Sequence, residues 1–405
     1  MVKVAVLGYG TVGSGVVEVL QKNQDAITEK LNETIEVKYI LDLREFPGDP
    51  NESLVVHDYS IILEDTEVSI ICETMGGVEP AYTFSKKALL TGKSVCTSNK
   101  ELVAAHGPEL IRIAKENHCN YMFEASVGGG IPIIRPLNSS LTPEKIEGIT
   151  GILNGTTNFI LTKMRDEEAD FADVLKEAQE MGFAEKNPEA DVEGHDAGRK
   201  IAILSSLMYG ETVKYDSVST EGITKISPID FEYASSLGYT IKLLAMSKEN
   251  NGAPFAMVAP FLINKSNPLF AVDGVFNGIL VKGNMLGNTM YYGAGAGKLP
   301  TASAVVGDVI DCARHKNVSI SCNWKESEKQ MHSIEEVSRR FLVRFKETSE
   351  TTQPQMKELF DASKVIVLEA SKAEFAVITG VMTEAEYKRK AEKVLDILGM
   401  IRIEE

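Results

Sequence analysis

The sequence predicts an α/β protein of more than one domain: a doubly wound parallel sheet, an inserted α+β domain and a C-terminal βαββαβ unit. Three observations predict this. At 405 residues the chain exceeds one ordinary domain. Its first part alternates short, near-continuous apolar runs with helical periodicity, the pattern of a parallel sheet covered on both faces. Its tail runs strand, helix, strand, strand, helix, strand.

The elements follow in order. "VKVAVLG" reads as a buried strand, and Thr11 to Lys22 as a helix with Val12, Val16, Val19 and Leu20 at helical spacing. "IEVKYILD" and "VSIICET" are further strands, the second followed by a helix over Ala81–Leu90. "SVCTSNK" leads to a helix over Leu102–Glu116, and "NYMFEAS" closes the series. From Ile146 the pattern changes: "KIEGITGILNGTTNFIL" reads as strand, turn and helix start. Helices are expected at Phe171–Met181 and Ala197–Tyr209, and strands at Ala256–Leu262, Ala271–Val275 and Gly278–Lys282. A Gly-rich loop, "GAGAG", then opens a helix from about Thr301 that returns the chain to the first domain. "HKNVSISCNWKESEKQMHSIEEV" reads as a linker. In the tail, "RRFLVRFK", "KVIVLEAS", "EFAVITGVM" and "IRIEE" read as strands, and "QPQMKELFDA" and "EAEYKRKAEKVLDILGM" as helices.

Bulk properties exclude some function classes. The net charge of −16 argues against a nucleic-acid partner, because phosphate binding needs a basic surface. No stretch approaches the roughly 18 apolar residues of a membrane span, so no membrane partner is expected. The N-terminus enters a strand at once, without a signal peptide, so a cytoplasmic protein is expected. Five scattered cysteines without a CxxC pair fit reduced thiols, and six histidines form no HExxH cluster.

"GYGTVG" places Gly8, Gly10 and Gly13 as GxGxxG between a strand and a helix, with Thr11 and Val12 at the helix start. That context makes a Rossmann-type dinucleotide fingerprint: a tight turn, close approach to pyrophosphate, and a helix N-terminus facing negative charge. A tight turn without ligand is the alternative. After the second strand, Asp42 favours a free ribose 2′-hydroxyl and Arg44 a 2′-phosphate. NADP and NAD both stay open, with a lean to NADP through Arg44. The other strand ends are polar, at Thr74, Thr97 to Lys100 and Glu124, where open α/β sheets bind ligands. A lysine is unfavourable at a helix N-terminus, so Lys100 suggests an anionic ligand or a catalytic role rather than a mere surface position. "EASVGGGIP" lets backbone approach a cofactor, a substrate or a cation held by carbonyl oxygens; a hinge is the alternative.

"DVEGHDAGRKIAIL" carries the main catalytic expectation. On a helix from about Glu193 to Tyr209, Asp196 and Lys200 are i and i+4 neighbours continued by Ile203, Leu204 and Leu207. Lys200 therefore lies on the apolar side. Burial disfavours an ammonium, an ionised Asp196 opposes that, and a lysine so tuned gives and takes a proton. A surface ion pair contributing about 0.3–0.5 kcal/mol is the alternative. Glu185 and Asp191 either bind a cationic group such as a substrate amine or, for Asp191, cap the helix. No cysteine lies between Cys119 and Cys312, which argues for simple hydride transfer between alcohol and carbonyl.

These motifs in order resemble homoserine dehydrogenase: "GYGTVG", "TSNKELVAAHG", "FEASVGGGIPII", "GILNGTTNFIL" and above all "GFAEKNPEADVEGHDAGRK". The resemblance covers the chain through about residue 310 and is to the monofunctional form. It implies reversible reduction of L-aspartate 4-semialdehyde to L-homoserine by NADPH or NADH, within threonine and methionine biosynthesis. It implies that Lys200 donates and accepts the proton with Asp196 beside it, that Lys100 lies near nicotinamide and substrate, and that Glu185 binds substrate. Asp191 matches another family acid. The triple-glycine segment matches a monovalent, Na-like cation site built from the carbonyls of Glu124, Val127, Gly129 and Ile131. Gly297 falls on a loop that approaches the cofactor. A homodimer or homotetramer is implied. The tail resembles a regulatory ACT domain of ferredoxin-like order but lacks the Asp-x-Pro-Gly-like turn after its first strand, so effector binding does not carry over. The expected division is 1–130, completed by about 295–320, for the cofactor; 131–294 for substrate and dimerisation; 321–337 as linker; and 338–405 as the ACT-like domain.

Overall fold

A computed structural model describes residues 1–250, 252–346, 352–369 and 371–404. The chain divides into two compact units. The first comprises Met1–Lys145, Ala202–Lys214 and Tyr291–Lys329, and the second Ile146–Ile201, Tyr215–Met290 and Gln330–Glu405.

The first unit opens with β1 (Val2–Leu7), α1 (Thr11–Lys22), α2 (Gln24–Leu31), β2 (Ile35–Leu41) and β3 (Val55–Val56). It continues through α3 (Tyr59–Glu64), β4 (Val68–Glu73), α4 (Ala81–Leu90), β5 (Ser94–Thr97), α5 (Lys100–Glu116), β6 (Tyr121–Met122) and α6 (Ile134–Asn138). The six strands pair in parallel in the order β3-β2-β1-β4-β5-β6. The order reverses between β1 and β4, and a ligand crevice opens at that switch point in such sheets. Val4, Val6, Ile40, Cys72 and Cys96 form the core with Val16 and Val17 of α1 and Val305 and Val309 of the returning helix Lys298–Arg314. The helices Thr11–Lys22 and Ala81–Leu90 keep their predicted bounds, because apolar periodicity and burial coincide there. α5 begins at Lys100, two residues before the predicted start, because the Asn99 side chain caps it by accepting from the Leu102 N–H.

The second unit begins with β7 (Ile146–Ile152), α7 (Gly155–Glu167), α8 (Phe171–Glu180), α9 (Glu189–Val192) and the start of α10 (His195–Tyr209). α10 runs on into the first unit, where β8 (Glu211–Thr212) follows. The second unit resumes with β9 (Ser219–Thr220), α11 (Pro228–Ser236), β10 (Tyr239–Asn250), β11 (Ala253–Asn264), β12 (Phe276–Gly283) and the first residues of β13 (Gly287–Ala294). α12 (Lys298–Arg314) and β14 (Lys325–Glu328) belong to the first unit, where β14 pairs with β8 inside the segment read as linker. The tail comprises β15 (Ser338–Lys346), α13 (Thr352–Leu359), β16 (Lys364–Leu368), β17 (Ser371–Ile378), β18 (Met382–Thr383), α14 (Glu384–Ala391) and β19 (Ile397–Ile403). The turn after β15 where the Asp-x-Pro-Gly pattern is lacking includes residues 347–351, outside those described.

One mixed sheet runs β13-β12-β7-β10-β11-β19-β15-β17-β16, with β9 beside β11 and β18 beside β15. β10 and β11 form a long antiparallel ladder from Tyr239↔Asn264 to Asn250↔Ala253. β10 escaped the sequence reading because Thr240, Lys242 and Ser247 are buried within it, which interrupts both an apolar run and a clean alternation. Its Lys242 is 1% exposed and donates to Asp273, to the Val272 carbonyl and to Asn158. α11 was also missed; Ser227 and Asp230 start it with a reciprocal capping box.

Two expected elements are corrected. Ala271–Val275 is not a strand: Pro268–Ala271 forms a 3₁₀ turn capped by Asn267, and Gly274 follows in the left-handed region. Val272 is buried there without ladder pairing, while Ala271 is exposed, so local hydrophobicity is no sign of a strand. The helix expected over residues 384–400 ends at Ala391, and Ile397–Met400 joins β19 by pairing with β15. Strand pairing at long sequence separation overrides the local helical pattern.

The tail extends the second unit's own sheet. β19 pairs in parallel with β11 at Phe261↔Arg402 and Leu262↔Ile403. On one face of β15, Phe341, Val343 and Phe345 pack with Phe360, Phe375 and Tyr387. On the other, Arg344 meets Asp230 at 2.8 Å and Ser227 at 3.2 Å, both from the α11 start. No helix among the described residues is long and apolar enough to cross a membrane.

Candidate active site

The glycine turn lies between β1 and α1. Gly8 is left-handed (φ 89°), and a Cβ on Gly13 would come within 1.9 Å of the Gly8 carbonyl oxygen. The third glycine is therefore demanded by strand–helix contact. A Cβ on Gly10 would meet nothing within 4 Å, so the turn leaves open space in front of α1. No side chain caps that helix start, which leaves the N–H groups around Thr11 and Val12 suited to an anion. These features fit a dinucleotide pyrophosphate. Thr74 donates to the Leu7 and Gly8 carbonyls and ties β4 to this turn.

At the end of β2, the nearly buried Asp42 carboxylate accepts the Tyr9 N–H at 2.8 Å. Arg44 grips the same carboxylate through Nε at 3.0 Å and Nη2 at 2.9 Å. That guanidinium holds the Asp42 carboxyl well below the usual carboxylate range. Arg44 itself is exposed and lies over the Phe46 ring.

Lys100 is the first residue of α5, behind Asn99. Behind both lies a group that sequence reasoning missed, Glu73, the fully buried last residue of β4. Its carboxylate accepts from Thr97 Oγ1 at 2.5 Å and from the Met75 N–H at 2.8 Å. Burial pushes its carboxyl up to about 7. The one signal in the sequence was an acid ending an otherwise apolar strand.

The triple-glycine segment is packed backbone rather than a hinge. Gly129 is left-handed (φ 56°), and a Cβ there would fall 2.2 Å from the Gly295 carbonyl oxygen. Glu124 turns its carboxylate to the N–H groups of Ile133, Ile134 and Arg135 at 2.6–2.8 Å, so only its carbonyl is left for another role. Val127 and Ile131 are buried, and the carbonyls of Val127, Gly129 and Ile131 accept no hydrogen bond among the described residues. Among those residues no His, Cys, Asp and Glu cluster could hold a metal, so any cation here would rely on backbone oxygen. Gly297 precedes α12 with a positive φ of 119°, a backbone conformation that favours glycine.

In the second unit, α10 brings Asp196 and Lys200 onto one face, as their spacing predicts. Lys200 Nζ donates to Asp196 Oδ2 at 2.7 Å and to the Leu153 carbonyl at 2.9 Å. The side chains are 11% and 5% exposed, so this is no surface pair. Asn154, missed from sequence, organises the cluster. It caps α7 by accepting the Thr157 N–H, and its Nδ2 donates to Asp191 Oδ1 at 2.7 Å and to Asp196 Oδ2 at 2.9 Å. An asparagine before a helix is a capping signal, but its reach across 37 and 42 residues is invisible locally. Asp191 thus joins Asp196 and Lys200, while the Glu185 side chain is exposed on the loop between α8 and α9.

The chain is similar to known proteins over most of its length. The family model described as "Homoserine dehydrogenase, NAD binding domain" matches residues 8–124, and that described as "Homoserine dehydrogenase" matches residues 132–310. A curated homoserine dehydrogenase from Synechocystis is 48% identical over 318 residues, 76% of this chain and 73% of its own length. The crystal structure of a homoserine dehydrogenase from Thiobacillus denitrificans superimposes with a TM-score of 0.90 at 35% identity, covering 100% of this chain and 98% of that one. A hyperthermophilic archaeal homoserine dehydrogenase mutant, solved in complex with NADPH, gives 0.65 at 29% identity over 77% of this chain and 97% of its own.

Proposed function

The chain belongs to the homoserine dehydrogenase family, an NAD(P)-dependent oxidoreductase interconverting L-homoserine and L-aspartate 4-semialdehyde, and on that premise we propose how its residues divide the work. Lys200 is the proton donor and acceptor. Two of its three N–H bonds go to Asp196 and the Leu153 carbonyl, so the ammonium is held in one orientation with a donor left for a substrate oxygen. That geometry is the observation that carries the reading. Asp196 keeps Lys200 in place, and Asn154 keeps Asp196 and Asp191 in place. When bound, the nicotinamide cofactor supplies hydride to the aldehyde carbon. Lys200, or a water it holds, protonates the developing alkoxide, and Lys100 supplies positive charge that stabilises it. Glu185 and Asp191 receive the substrate amine.

Gly8, Gly10, Thr11, Val12, Gly13, Thr74 and Gly297 contact the cofactor in this reading. The exposed Arg44 favours NADP. The carbonyls of Glu124, Val127, Gly129 and Ile131 hold a Na-like cation, which supplies fixed charge to the segment. Residues 1–130 with about 295–320 carry the cofactor, 131–294 carry substrate and dimerisation, and 321–337 link them to an ACT-like unit over 338–405. The order β19-β15-β17-β16, with helices on one face, supports a ferredoxin-like unit there. The enzyme acts in the cytoplasm as a homodimer or homotetramer.

Steady-state oxidation of L-homoserine with NADP and with NAD tests this. Lys200→Ala is expected to lower kcat by about 10²–10⁴. Near-wild-type turnover in that variant would remove Lys200 from the role.

A further inference from the structure

Glu73 lies on the strand that connects the glycine turn with the start of α5. Its neighbour Thr74 donates to the Leu7 and Gly8 carbonyls, on the β1 side. Glu73 accepts from Thr97, on the β5 side. From there a directional chain of hydrogen bonds leads to α5. Thr97 Oγ1 gives its proton to Glu73 and accepts the Asn99 N–H at 2.9 Å. Asn99 donates through Nδ2 to the Gly77 carbonyl at 2.6 Å and accepts the Leu102 N–H at 3.1 Å. Asn99 is thereby fixed at its backbone and at both ends of its side chain. Lys100 is the next residue.

Glu73, Thr97 and Asn99 are 0%, 0% and 6% exposed, so water does not substitute for a lost partner. The same carboxylate accepts the Met75 N–H, which fixes the turn after β4 as well. A fully buried acid could be replaced by an apolar residue if only packing mattered. Here it is the terminal acceptor for two turns at the carboxyl edge of the sheet, beside the β1/β4 switch point. A lysine at a helix N-terminus is electrostatically unfavourable, so holding it there calls for such a tether.

We propose that Glu73, acting through Thr97 and Asn99, is a positioning residue that sets the placement of Lys100 for hydride transfer. This rests on the reading of Lys100 as the positive charge beside the reacting carbonyl. Glu73 itself touches neither substrate nor cofactor. Misplacement of a catalytic group by about 1 Å costs up to about a hundredfold in rate. The Thr97–Asn99 arm makes no hydrogen bond to the glycine turn, so loss of the Thr97 hydroxyl should spare binding of the ADP-ribose half.

Thr97→Val, close in size, removes the relay hydroxyl; Thr97→Ser restores it; Glu73→Leu removes the terminal acceptor. In full-length enzyme, Thr97→Val and Glu73→Leu are expected to lower kcat for L-homoserine oxidation by about tenfold to a hundredfold. In Thr97→Val the dissociation constant for ADP-ribose should stay within about twofold, and Thr97→Ser should recover most of the activity. Lys100→Met should be as slow or slower, and adding Thr97→Val to it should change little, because coupled residues are not additive. Wild-type kcat in Lys100→Met would overturn the reading of Lys100 itself. Low kcat in Lys100→Met with wild-type kcat in Thr97→Val would overturn the positioning role alone. So would equal losses in Thr97→Val and Thr97→Ser, additive losses in the double variant, or a parallel loss of ADP-ribose affinity in Thr97→Val.

Discussion

Asn154 donates to two carboxylates at once, so its removal leaves Asp191 and Asp196 each short of a hydrogen bond in a buried cluster. Asn154→Ala is expected to destabilise the protein by about 1–3 kcal/mol. It should also lower kcat by about tenfold or more, because Asp196 no longer holds Lys200 in register. Denaturant titration and steady-state kinetics check the two effects. Glu73 supports a pH prediction. Its carboxyl is raised from the unfolded value near 4.5 to about 7, so between those values the folded state binds more protons than the unfolded one. Its contribution is therefore full below about 4.5 and is lost as pH rises to about 7. Glu73→Gln removes that dependence. The unfolding midpoint of wild type should fall more than the variant's between pH 5 and pH 7.5, measured in urea. At this scale the local part was legible: Asp196 and Lys200 are one helical turn apart, and spacing alone pairs them. Asn154 and Glu73 were not legible, because their partners lie 24–42 residues away along the chain.

Among the elements, apolar patterning located β1, α1 and α4, which meet a core built from the same unit. It failed where context changed the rule. β10 buries Thr240, Lys242 and Ser247 among its apolar residues, and β19 borrows residues from an apparent helix because β15 offers a ladder. The packing of α11 against β15 yields a prediction at this scale. Arg344 is 8% exposed and meets Asp230, Glu374 and Ser227. Asp230→Ala removes the nearest carboxylate and the capping box together. It is expected to destabilise by about 1–3 kcal/mol, since the buried guanidinium keeps only Glu374 as a carboxylate partner and α11 loses its cap. Calorimetry should show the tail and α11 melting in one transition. A separate early transition of the tail would contradict the shared packing.

At the scale of the whole molecule, the tail is part of the second unit's sheet. Arg402 on β19 pairs with Glu384 of α14 and with Glu221, which follows β9. Truncation after Val337 would strip the β11 edge at Phe261 and Leu262 and uncover the α11 surface that faces Arg344. Exposed edges of that kind template association. The truncated chain is expected to aggregate or elute as large species on size exclusion, while the full chain does not. A monodisperse truncated enzyme of wild-type activity would show that the tail is dispensable to the unit.

The glycine turn, the parallel sheet, the Asp196–Lys200 pair and the family are legible along the chain, because each is carried by short contiguous motifs or by the regular succession of neighbouring segments. Only the folded chain shows which acceptor anchors the start of α5, that Asn154 joins Asp191 to Asp196, and that the tail continues the second unit's sheet. Those outcomes depend on hydrogen bonds and strand pairings between distant segments, whose partners are chosen by burial and register rather than by any local pattern.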